Sequence, residues 1–237
     1  MTSVGDGISV DSSRWSFGGS VAGTFDSHVS RSVPLYHESH QLVVDLSEYF
    51  VKPDSLIYDI GCSTGTLTRL LFERNRDKTT LVVGIDSVAE MIDFARNQSA
   101  QNALAPEYVC DDLTTMTISP CDYIVMCYTL QFIHPAVRQS VVDKLYKSLN
   151  WGGALVLFEK VRAPDARFQD IATGLYVEHK LRNGFELSET AAKTRSLKGV
   201  LEPFSTQGNL DLLRRGGFTD VMTISKFICF EGFLAIK

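Results

Sequence analysis

The sequence has no apolar run of the length needed to cross a bilayer, and only five of its 237 residues are cysteines, with no C-x-x-C pair. An odd number of cysteines without metal-ligand spacing argues against a disulfide framework and a zinc site. Residues 1–24 have neither a basic start nor an apolar centre, so we expect a flexible leader and not a signal peptide. These absences predict a cytoplasmic protein without a membrane partner.

The chain also lacks a large excess of either charge. It has 23 lysines and arginines and 28 aspartates and glutamates, for a net charge of −5. A large nucleic-acid footprint is usually basic, so we expect no direct nucleic-acid contact and a small-molecule substrate instead. His37 and His40 share one helical face, but no acidic or sulfur ligand is placed beside them. No metal site is therefore expected.

Apolar runs typical of strands alternate with helical spacing along most of the chain. The five predicted strands lie at residues 56–60, 81–85, 108–110, 123–127 and 154–158, with predicted helices after the first, second and fourth. Such alternation indicates right-handed crossovers and a Rossmann-like, doubly wound α/β fold with a mostly parallel sheet. Two further apolar runs, 218–225 and 227–236, are separated by only Lys226 and predict an antiparallel finish. We expect one domain over 25–237 with a polar helical insertion near 163–200.

The first predicted strand ends in a glycine turn, which is typical of nucleoside sites in open α/β sheets. Its candidate ligand-binding residues are Asp59, Gly61, Cys62, Ser63 and Gly65. The glycines permit a sharp turn that releases backbone N–H groups toward a ligand, and the Asp59 carboxylate is placed to hold the turn or the amino group of that ligand. A glycine turn alone identifies no ligand, since helix-to-strand packing often needs one.

Asp86 ends the next strand, at a position from which a carboxylate accepts hydrogen bonds from both ribose hydroxyls, and Ser87 follows it. A nicotinamide cofactor would need the same acid. The G-x-G-x-x-G spacing that this cofactor favours is absent from the turn. S-adenosylmethionine (SAM) is therefore the better fit.

The third strand is followed by two aspartates and a leucine, Asp111, Asp112 and Leu113. A carboxylate here can accept a hydrogen bond from the exocyclic amine of adenine while the leucine covers the ring. A helix N-cap or a solvated loop is the alternative interpretation. The two preceding sites favour the adenine role.

Several motifs resemble those of class I SAM-dependent methyltransferases, which implies a seven-stranded sheet, mostly parallel with an antiparallel C-terminal strand. These motifs are YDIGCSTG at 58–65, GIDSVAEMI at 84–92 and LNWGGALVLFEK at 149–160. Other motifs resemble one branch, the carboxy-SAM synthase family. They are RSVPLY at 31–36, YTLQFIHP at 128–135, the pair Asn183 and Gly184, and KTRSL at 193–197. The resemblance runs from about Phe25 to the C-terminus.

The resemblance implies a homodimeric transferase that moves a carboxyl group from prephenate to the methyl carbon of SAM, for later modification of a transfer-RNA wobble uridine. It also implies that Tyr36 and Arg195 bind the nucleotide and the added carboxylate, which makes them the catalytic candidates. A guanidinium is permanently charged and can bind a carboxylate with two parallel hydrogen bonds. On composition alone, Arg195 would be a solvated arginine on a polar helix.

Two departures separate this chain from the family pattern. Cys127, a candidate cofactor contact, stands where the family has an asparagine, so a side-chain hydrogen bond is weakened there. The stretch from Gly184 to Arg195 is one residue longer, which turns the arginine by about 100° on a helix. A methyltransferase with a small acceptor and a non-catalytic SAM-binding protein are therefore the alternatives to carboxyl transfer.

Overall fold

The computed structural model describes residues 2–5, 8–10, 15, 17–100 and 104–237. The helices in this part of the chain are α1 (Phe25–Ser32), α2 (Tyr36–Phe50), α3 (Thr66–Arg74), α4 (Ala89–Ser99), α5 (Arg138–Ser148), α6 (Ala166–Arg182), α7 (Leu187–Ser196) and α8 (Thr206–Gly216). The strands are β1 (Thr2–Ser3), β2 (Ser9–Val10), β3 (Leu56–Ile60), β4 (Leu81–Asp86), β5 (Glu107–Cys110), β6 (Cys121–Cys127), β7 (Leu149–Lys160), β8 (Asp220–Phe227) and β9 (Phe230–Ile236). None of these helices has both the length and the apolar character that a membrane span requires.

Seven of the strands form one sheet in the order β5-β4-β3-β6-β7-β9-β8. The first five run parallel, with Leu56 of β3 opposite Leu81 of β4 and Ile57 of β3 opposite Tyr123 of β6. Strand β9 runs antiparallel to both β7 and β8. The predicted Rossmann-like α/β fold, with a seven-stranded sheet and an antiparallel C-terminal strand, is confirmed. The strand order reverses between β3 and β6, where open α/β sheets bind ligands.

Helices cover both faces of the sheet, because its parallel strands are apolar on both sides. One core lies between the sheet and helices α2 and α3, and it includes Val43, Ile57, Leu71 and Val125. The other lies against α5 and α8, and it includes Ile85, Ile124, Leu145 and Leu213. Packing on both faces fixes the carboxyl ends of β3, β4, β6 and β7 side by side at one edge.

Helices α6 and α7 occupy the segment predicted to be a helical insertion. The side chain of Asp165 caps α6, and Gly184, with φ +84°, turns the chain between the two helices. Arg31 of α1 donates a 3.2 Å hydrogen bond to the carbonyl of Asn183 and lies over the ring of Phe185. These contacts tie the start of α7 to the first helix of the domain.

The leader predicted over residues 1–24 lies partly outside the described residues, at positions 1, 6–7, 11–14 and 16. Of its described residues, Val4, Ile8 and Trp15 are buried in one apolar cluster with Met91 and Ala192. The flexibility of the leader stays a prediction. Val4, Ile8 and Trp15 therefore pack against helices α4 and α7.

The final hairpin turns at a different position from the one predicted. The sequence suggested that only Lys226 separates the last two strands, but β8 continues through Lys226 to Phe227. The turn is formed by Ile228 and Cys229, with φ +52° at Ile228. One residue is too short a connection for antiparallel neighbours, whereas two-residue loops are the commonest hairpin turns.

Candidate active site

A cavity of about 640 Å³ opens at the carboxyl edge of the sheet. The last residues of four strands line it: Ile60 of β3, Asp86 of β4, Cys127 of β6 and Lys160 of β7. Most of the residues predicted from the sequence meet here. They are Tyr36, Asp59, Gly61, Cys62, Ser63, Asp86, Ser87, Asp111, Asp112, Leu113 and Cys127.

Asp86 connects the end of β4 to the glycine turn after β3. The N–H of Ser63 donates a 2.9 Å hydrogen bond to one carboxylate oxygen, and the N–H of Val88 donates a 2.9 Å bond to the other. Burial raises the pKa of this carboxyl, while the two backbone bonds oppose that shift. Each carboxylate oxygen can accept more than one hydrogen bond, so Asp86 retains capacity for the hydroxyls of a ribose.

Gly61 occupies a position that only glycine fits. Its φ is +76°, and a Cβ at this site would overlap the side chain of Thr129. The hydroxyl of Thr129 donates a 3.1 Å bond to the carbonyl of Ile60, which fixes the threonine against the end of β3. The turn therefore reaches the cavity at Gly61 without a side chain, as close approach of a ligand requires. The predicted release of backbone N–H groups toward the ligand is wrong for Gly61 and Cys62, because both N–H groups donate to the carbonyl of Ile85 at the end of β4.

Asp59 is a buried carboxyl, with 2% of its surface exposed. It accepts a 2.6 Å hydrogen bond from the hydroxyl of Thr68. Burial raises the pKa of Asp59 to about 7; the Thr68 bond acts in the opposite direction and the nearby Asp86 carboxylate adds to the increase. A cationic group of a ligand would relieve the cost of ionising this carboxyl.

The loop after β5 forms the rim of the cavity. Asp112 accepts 2.8 Å bonds from both the N–H and the hydroxyl of Thr114, and these bonds lower its pKa. Asp111 accepts a 2.7 Å bond from the N–H of Asp112, and Leu113 is buried beside them. One oxygen of each aspartate thus stabilises the loop itself, and the other oxygen of each is available as an acceptor.

The chain leaves β6 through a strained turn on the cavity wall. Tyr128 has φ +58°, which is rare for a tyrosine, and its N–H donates a 2.7 Å bond to the carbonyl of Phe158. Burial raises the pKa of the Cys127 thiol well above its ordinary value, so the thiol is neutral. Cys127 therefore offers the cavity a weakly polar contact and no negative charge.

A buried aromatic pair from α2 forms the adjacent wall. The ring of Tyr36 lies 4.2 Å from the ring of His40, measured between centroids. Burial raises the pKa of Tyr36 well above its ordinary value. Burial lowers the pKa of His40 to about 4, and the charge of the neighbouring His37 makes a smaller contribution in the same direction. Both cavity residues are therefore uncharged near pH 7.

Gly65 does not line the cavity. It has φ +74°, and a Cβ at this site would lie 2.6 Å from the hydroxyl of Tyr108. This glycine lets the start of α3 pack against β5. The sequence pattern correctly located the turn but gave no means to separate its packing glycine from the one beside the ligand.

Arg195 also lies away from the cavity, because α7 directs a different cation inward. Arg195 is exposed, whereas Lys193 lines the cavity and contacts His28 and Ser32. Two residues correspond to about 200° around a helix, so Lys193 and Arg195 lie on opposite faces. The chain by itself therefore does not bring the predicted arginine to this cavity.

Sequence reasoning missed the wall of the cavity that lies beyond β6. Its residues come from three separate parts of the chain: Lys160, Tyr176, Lys193 and Phe230. Only Lys160 could have been predicted from the local sequence, because it is a charged residue at the end of an apolar strand, as Asp86 is. The others lie in or after the insertion, where no strand pattern indicates which face meets the cavity.

A buried arginine and a buried glutamate support the turn after β6 from below. Arg138 donates 2.8 and 3.1 Å bonds to the carbonyls of Ile133 and Gln131, and Glu159 accepts a 3.0 Å bond from the N–H of Leu130. Burial raises the pKa of Glu159 to about 8, and the Arg138 charge limits this increase. Both residues therefore stabilise the cavity wall.

The residues present fit SAM. Gly61 supplies backbone without a side chain, Asp86 a ribose acceptor, Asp59 a partner for an ammonium group, and Leu113 an apolar cover for adenine. Bound SAM would supply a methyl group activated by the adjacent sulfonium.

Comparison with known proteins agrees with this geometry. Residues 57–153 match the family described as methyltransferase domain. The carboxy-S-adenosyl-L-methionine synthase of Campylobacter lari is 32% identical over 224 residues, which cover 94% of this chain and 95% of that protein. The Staphylococcus epidermidis protein of the same name is 32% identical over 94% of this chain and 97% of its own length.

In fold, the chain is similar to human N-acetylserotonin methyltransferase, whose structure was solved in complex with SAM, with a TM-score of 0.58 and 15% identity. The match covers 86% of this chain and 52% of the human one. Fold and site together define a SAM-dependent transferase with the methyltransferase fold. Within that class, the chain belongs to the carboxy-S-adenosyl-L-methionine synthase family, as its motifs indicated.

Proposed function

We propose that this protein converts SAM to carboxy-SAM, the reaction for which its relatives are named. The observation that carries the proposal is the 32% identity to the C. lari synthase over 94% of this chain and 95% of that one. The cavity supports it, because a nucleoside-binding edge lies beside further space that contains positive charge.

The proposed carboxyl donor is prephenate. Loss of its ring carboxyl and ring hydroxyl leaves aromatic phenylpyruvate, and the hydroxide combines with the proton released from the SAM methyl group. The balanced reaction is SAM plus prephenate giving carboxy-SAM, phenylpyruvate and water. Tyr36, Tyr128 and Phe230 give this part of the cavity aromatic walls, which suit transfer between two closely held carbons.

Tyr36 and Arg195 remain the proposed contacts of the nucleotide and the added carboxylate. Tyr36 lines the cavity, whereas Arg195 is exposed on the outer face of α7. For Arg195 the role therefore requires a rotation of α7 or an arginine from a second copy of the chain. Lys193 is the cation that this chain itself places in the cavity from α7.

Mass spectrometry tests the proposed reaction. Nucleoside released from the purified protein is analysed first, and the protein is then incubated with SAM and prephenate. The expected product is heavier than SAM by one carboxyl group and appears together with phenylpyruvate in equal amount. Unchanged SAM after incubation with correctly folded protein that binds SAM would contradict the proposal and favour a non-catalytic SAM-binding role.

A methyltransferase acting on a small acceptor is the second candidate. Two observations favour it: the thiol of Cys127 replaces the amide of the family pattern, and Arg195 does not line the cavity. Formation of S-adenosylhomocysteine that depends on an added small acceptor, without carboxy-SAM from prephenate, would support this candidate.

We also propose that the protein is a cytoplasmic homodimer. The family resemblance supports the dimer, and the five cysteines, all free in the structure, suit a reducing compartment. Light scattering on the purified protein and co-purification of two differently tagged copies measure the assembly, and cell fractionation measures the location. A monomer at micromolar concentration would contradict the proposed dimer.

A further inference from the structure

Two lysines from different elements meet at one aromatic ring. Lys160 is the last residue of β7, and Lys180 lies in the last turn of α6. The ammonium nitrogen of Lys160 lies 4.3 Å from the centroid of the Tyr176 ring, and that of Lys180 lies 4.8 Å from the same centroid. The β7 edge and the insertion thus place two positive charges around a single tyrosine.

These charges lack a negative partner within the part of the chain that the structure describes. Neither lysine forms an ion pair there, and Lys180 is only 4% exposed. The nearby Cys229 has its thiol pKa raised by burial, so it supplies no charge near pH 7. Burial lowers the pKa of Lys160, and burial together with repulsion from Lys160 lowers that of Lys180 to about 8.

Two ammonium groups at one ring, that of Lys180 buried and that of Lys160 half-buried, are costly unless an anion lies near them. Tyr176 relieves part of that cost through its ring face, as aromatic rings do for cations. An anion bound at Lys160, in the cavity, would relieve the rest and favour the charged form of both lysines. The arrangement is therefore suited to a ligand with negative charge.

Lys160 and Tyr176 line the same cavity as the predicted SAM contacts. Asp59 and Asp86 give the β3 and β4 side of this cavity negative charge, which suits the ribose and ammonium groups of SAM. Lys160 lies on the β7 side with Phe230, and Lys180 is buried behind this lining, against the Tyr176 ring. Charge therefore divides the cavity into a nucleoside part and an anion part.

We propose that Lys160 and Tyr176, with the charge of Lys180 on the same ring, form the binding site for the carboxylate that the donor keeps. The inference rests on the proposed function. The kept carboxylate is assigned because tight binding of the transferred carboxyl would stabilise it in the donor and oppose its release. A lysine supplies a compact charge at the end of a flexible stem, which suits holding one end of a small acid.

The test uses Lys160→Met and Lys180→Met, which keep the stem and remove the charge, with the exposed Lys147→Met as the matched control. Prephenate binding to the SAM-loaded protein is measured by calorimetry and by the shift in melting temperature. We expect about a tenfold or larger loss of prephenate affinity in each lysine variant, while SAM affinity changes less than twofold. Equal prephenate affinity in the wild type, the control and both variants would overturn the inference.

Phenylpyruvate, which retains only the kept carboxylate, separates the two carboxyl groups of the donor. It should bind the wild type and lose affinity in Lys160→Met, whereas its neutral methyl ester should bind both proteins equally weakly. Phenylpyruvate binding that is unaffected by Lys160→Met contradicts the assignment of that carboxylate. Lys160 ends its strand at the cavity, so this variant decides the question if Lys180→Met fails to fold.

Binding and turnover distinguish failure of this inference from failure of the proposed function. Lysine-dependent binding of prephenate without carboxy-SAM formation would leave the anion site established and contradict the proposed reaction. Carboxy-SAM formation with unaltered KM for prephenate in both lysine variants would leave the reaction established and contradict the anion site.

Discussion

The backbone N–H of Ser63 donates a 2.9 Å hydrogen bond to the carboxylate of Asp86, linking the glycine turn of β3 to the end of β4. Ser63 holds a φ of +54°, a conformation that few residues other than glycine adopt without support. The same carboxylate accepts a 2.9 Å bond from the N–H of Val88. One acid therefore shapes both loops of the nucleoside site before it contacts any ligand.

Replacing this acid tests the nucleoside site directly. Asp86→Asn keeps the size of the side chain but replaces one acceptor oxygen with a donor, so one loop bond and one ribose bond are lost. We expect SAM affinity to fall at least about tenfold, in line with the loss of a charge-assisted hydrogen bond. Calorimetry measures the affinity, and Asp93→Asn on the exposed face of α4 is the control. Unaltered binding in Asp86→Asn would exclude this carboxylate as a ribose contact.

A Cβ on Gly61 should disrupt the same turn from the other side. Gly61→Ala introduces a side chain at φ +76° and against Thr129, so we expect a loss of about 1–3 kcal/mol in the free energy of unfolding together with weak SAM binding. Gly174→Ala is the matched control, since it lies in α6 with open space around it and should add up to about 1 kcal/mol. Urea unfolding measures the free energy of unfolding of both variants. Equal values for Gly61→Ala and Gly174→Ala would show that the turn tolerates a side chain.

Local pattern was sufficient for the part of the site that follows the strands. An apolar run, a glycine turn and an acid at the end of the next strand determine where Gly61 and Asp86 lie, because parallel strands place their carboxyl ends at one edge. The positions of Asp111, Asp112 and Leu113 follow from the same rule. These residues lie together in the structure as the sequence predicted.

The wall formed by the insertion could not be predicted in this way. Which face of α7 meets the cavity depends on packing against α1, where Lys193 contacts His28, and no local period specifies that rotation. The contact of Lys160 with Tyr176 likewise depends on how α6 lies relative to the end of β7. Contacts between distant segments decide both cases, and a polar helix carries little information about its buried side.

Arg195 is tested by comparing two nucleosides that differ only in the added carboxylate. If Arg195 binds that group, Arg195→Ala should weaken carboxy-SAM binding about tenfold or more and leave SAM binding unchanged. Arg195→Lys should restore part of the difference, because it returns the charge without the bidentate geometry. Calorimetry with both ligands measures the effect, and Arg182→Ala, another exposed arginine of the insertion, is the control. Equal losses for both ligands, or none, would identify Arg195 as a surface residue without this role.

Asp59 predicts a pH dependence of SAM binding. Its folded pKa of about 7 lies above the ordinary value, so the folded protein holds more protons than the unfolded chain between about pH 4 and pH 7. The contribution of Asp59 to stability therefore decreases as pH rises through that range. The ammonium group of SAM requires the ionised carboxylate, so SAM affinity should instead rise about tenfold per unit as pH approaches 7 and level off above it.

Asp59→Asn separates these two effects, because it cannot ionise. We expect this variant to bind SAM weakly with little dependence on pH between 5.5 and 8.5, while the unliganded protein is at least as stable as the wild type at pH 8, where the buried charge is costly. Calorimetry across this pH range and urea unfolding at pH 8 provide the two measurements. Wild-type affinity that stays constant from pH 5.5 to 8.5 would show that Asp59 does not hold the ammonium group, and its buried carboxyl would then serve only the hydrogen bond to Thr68.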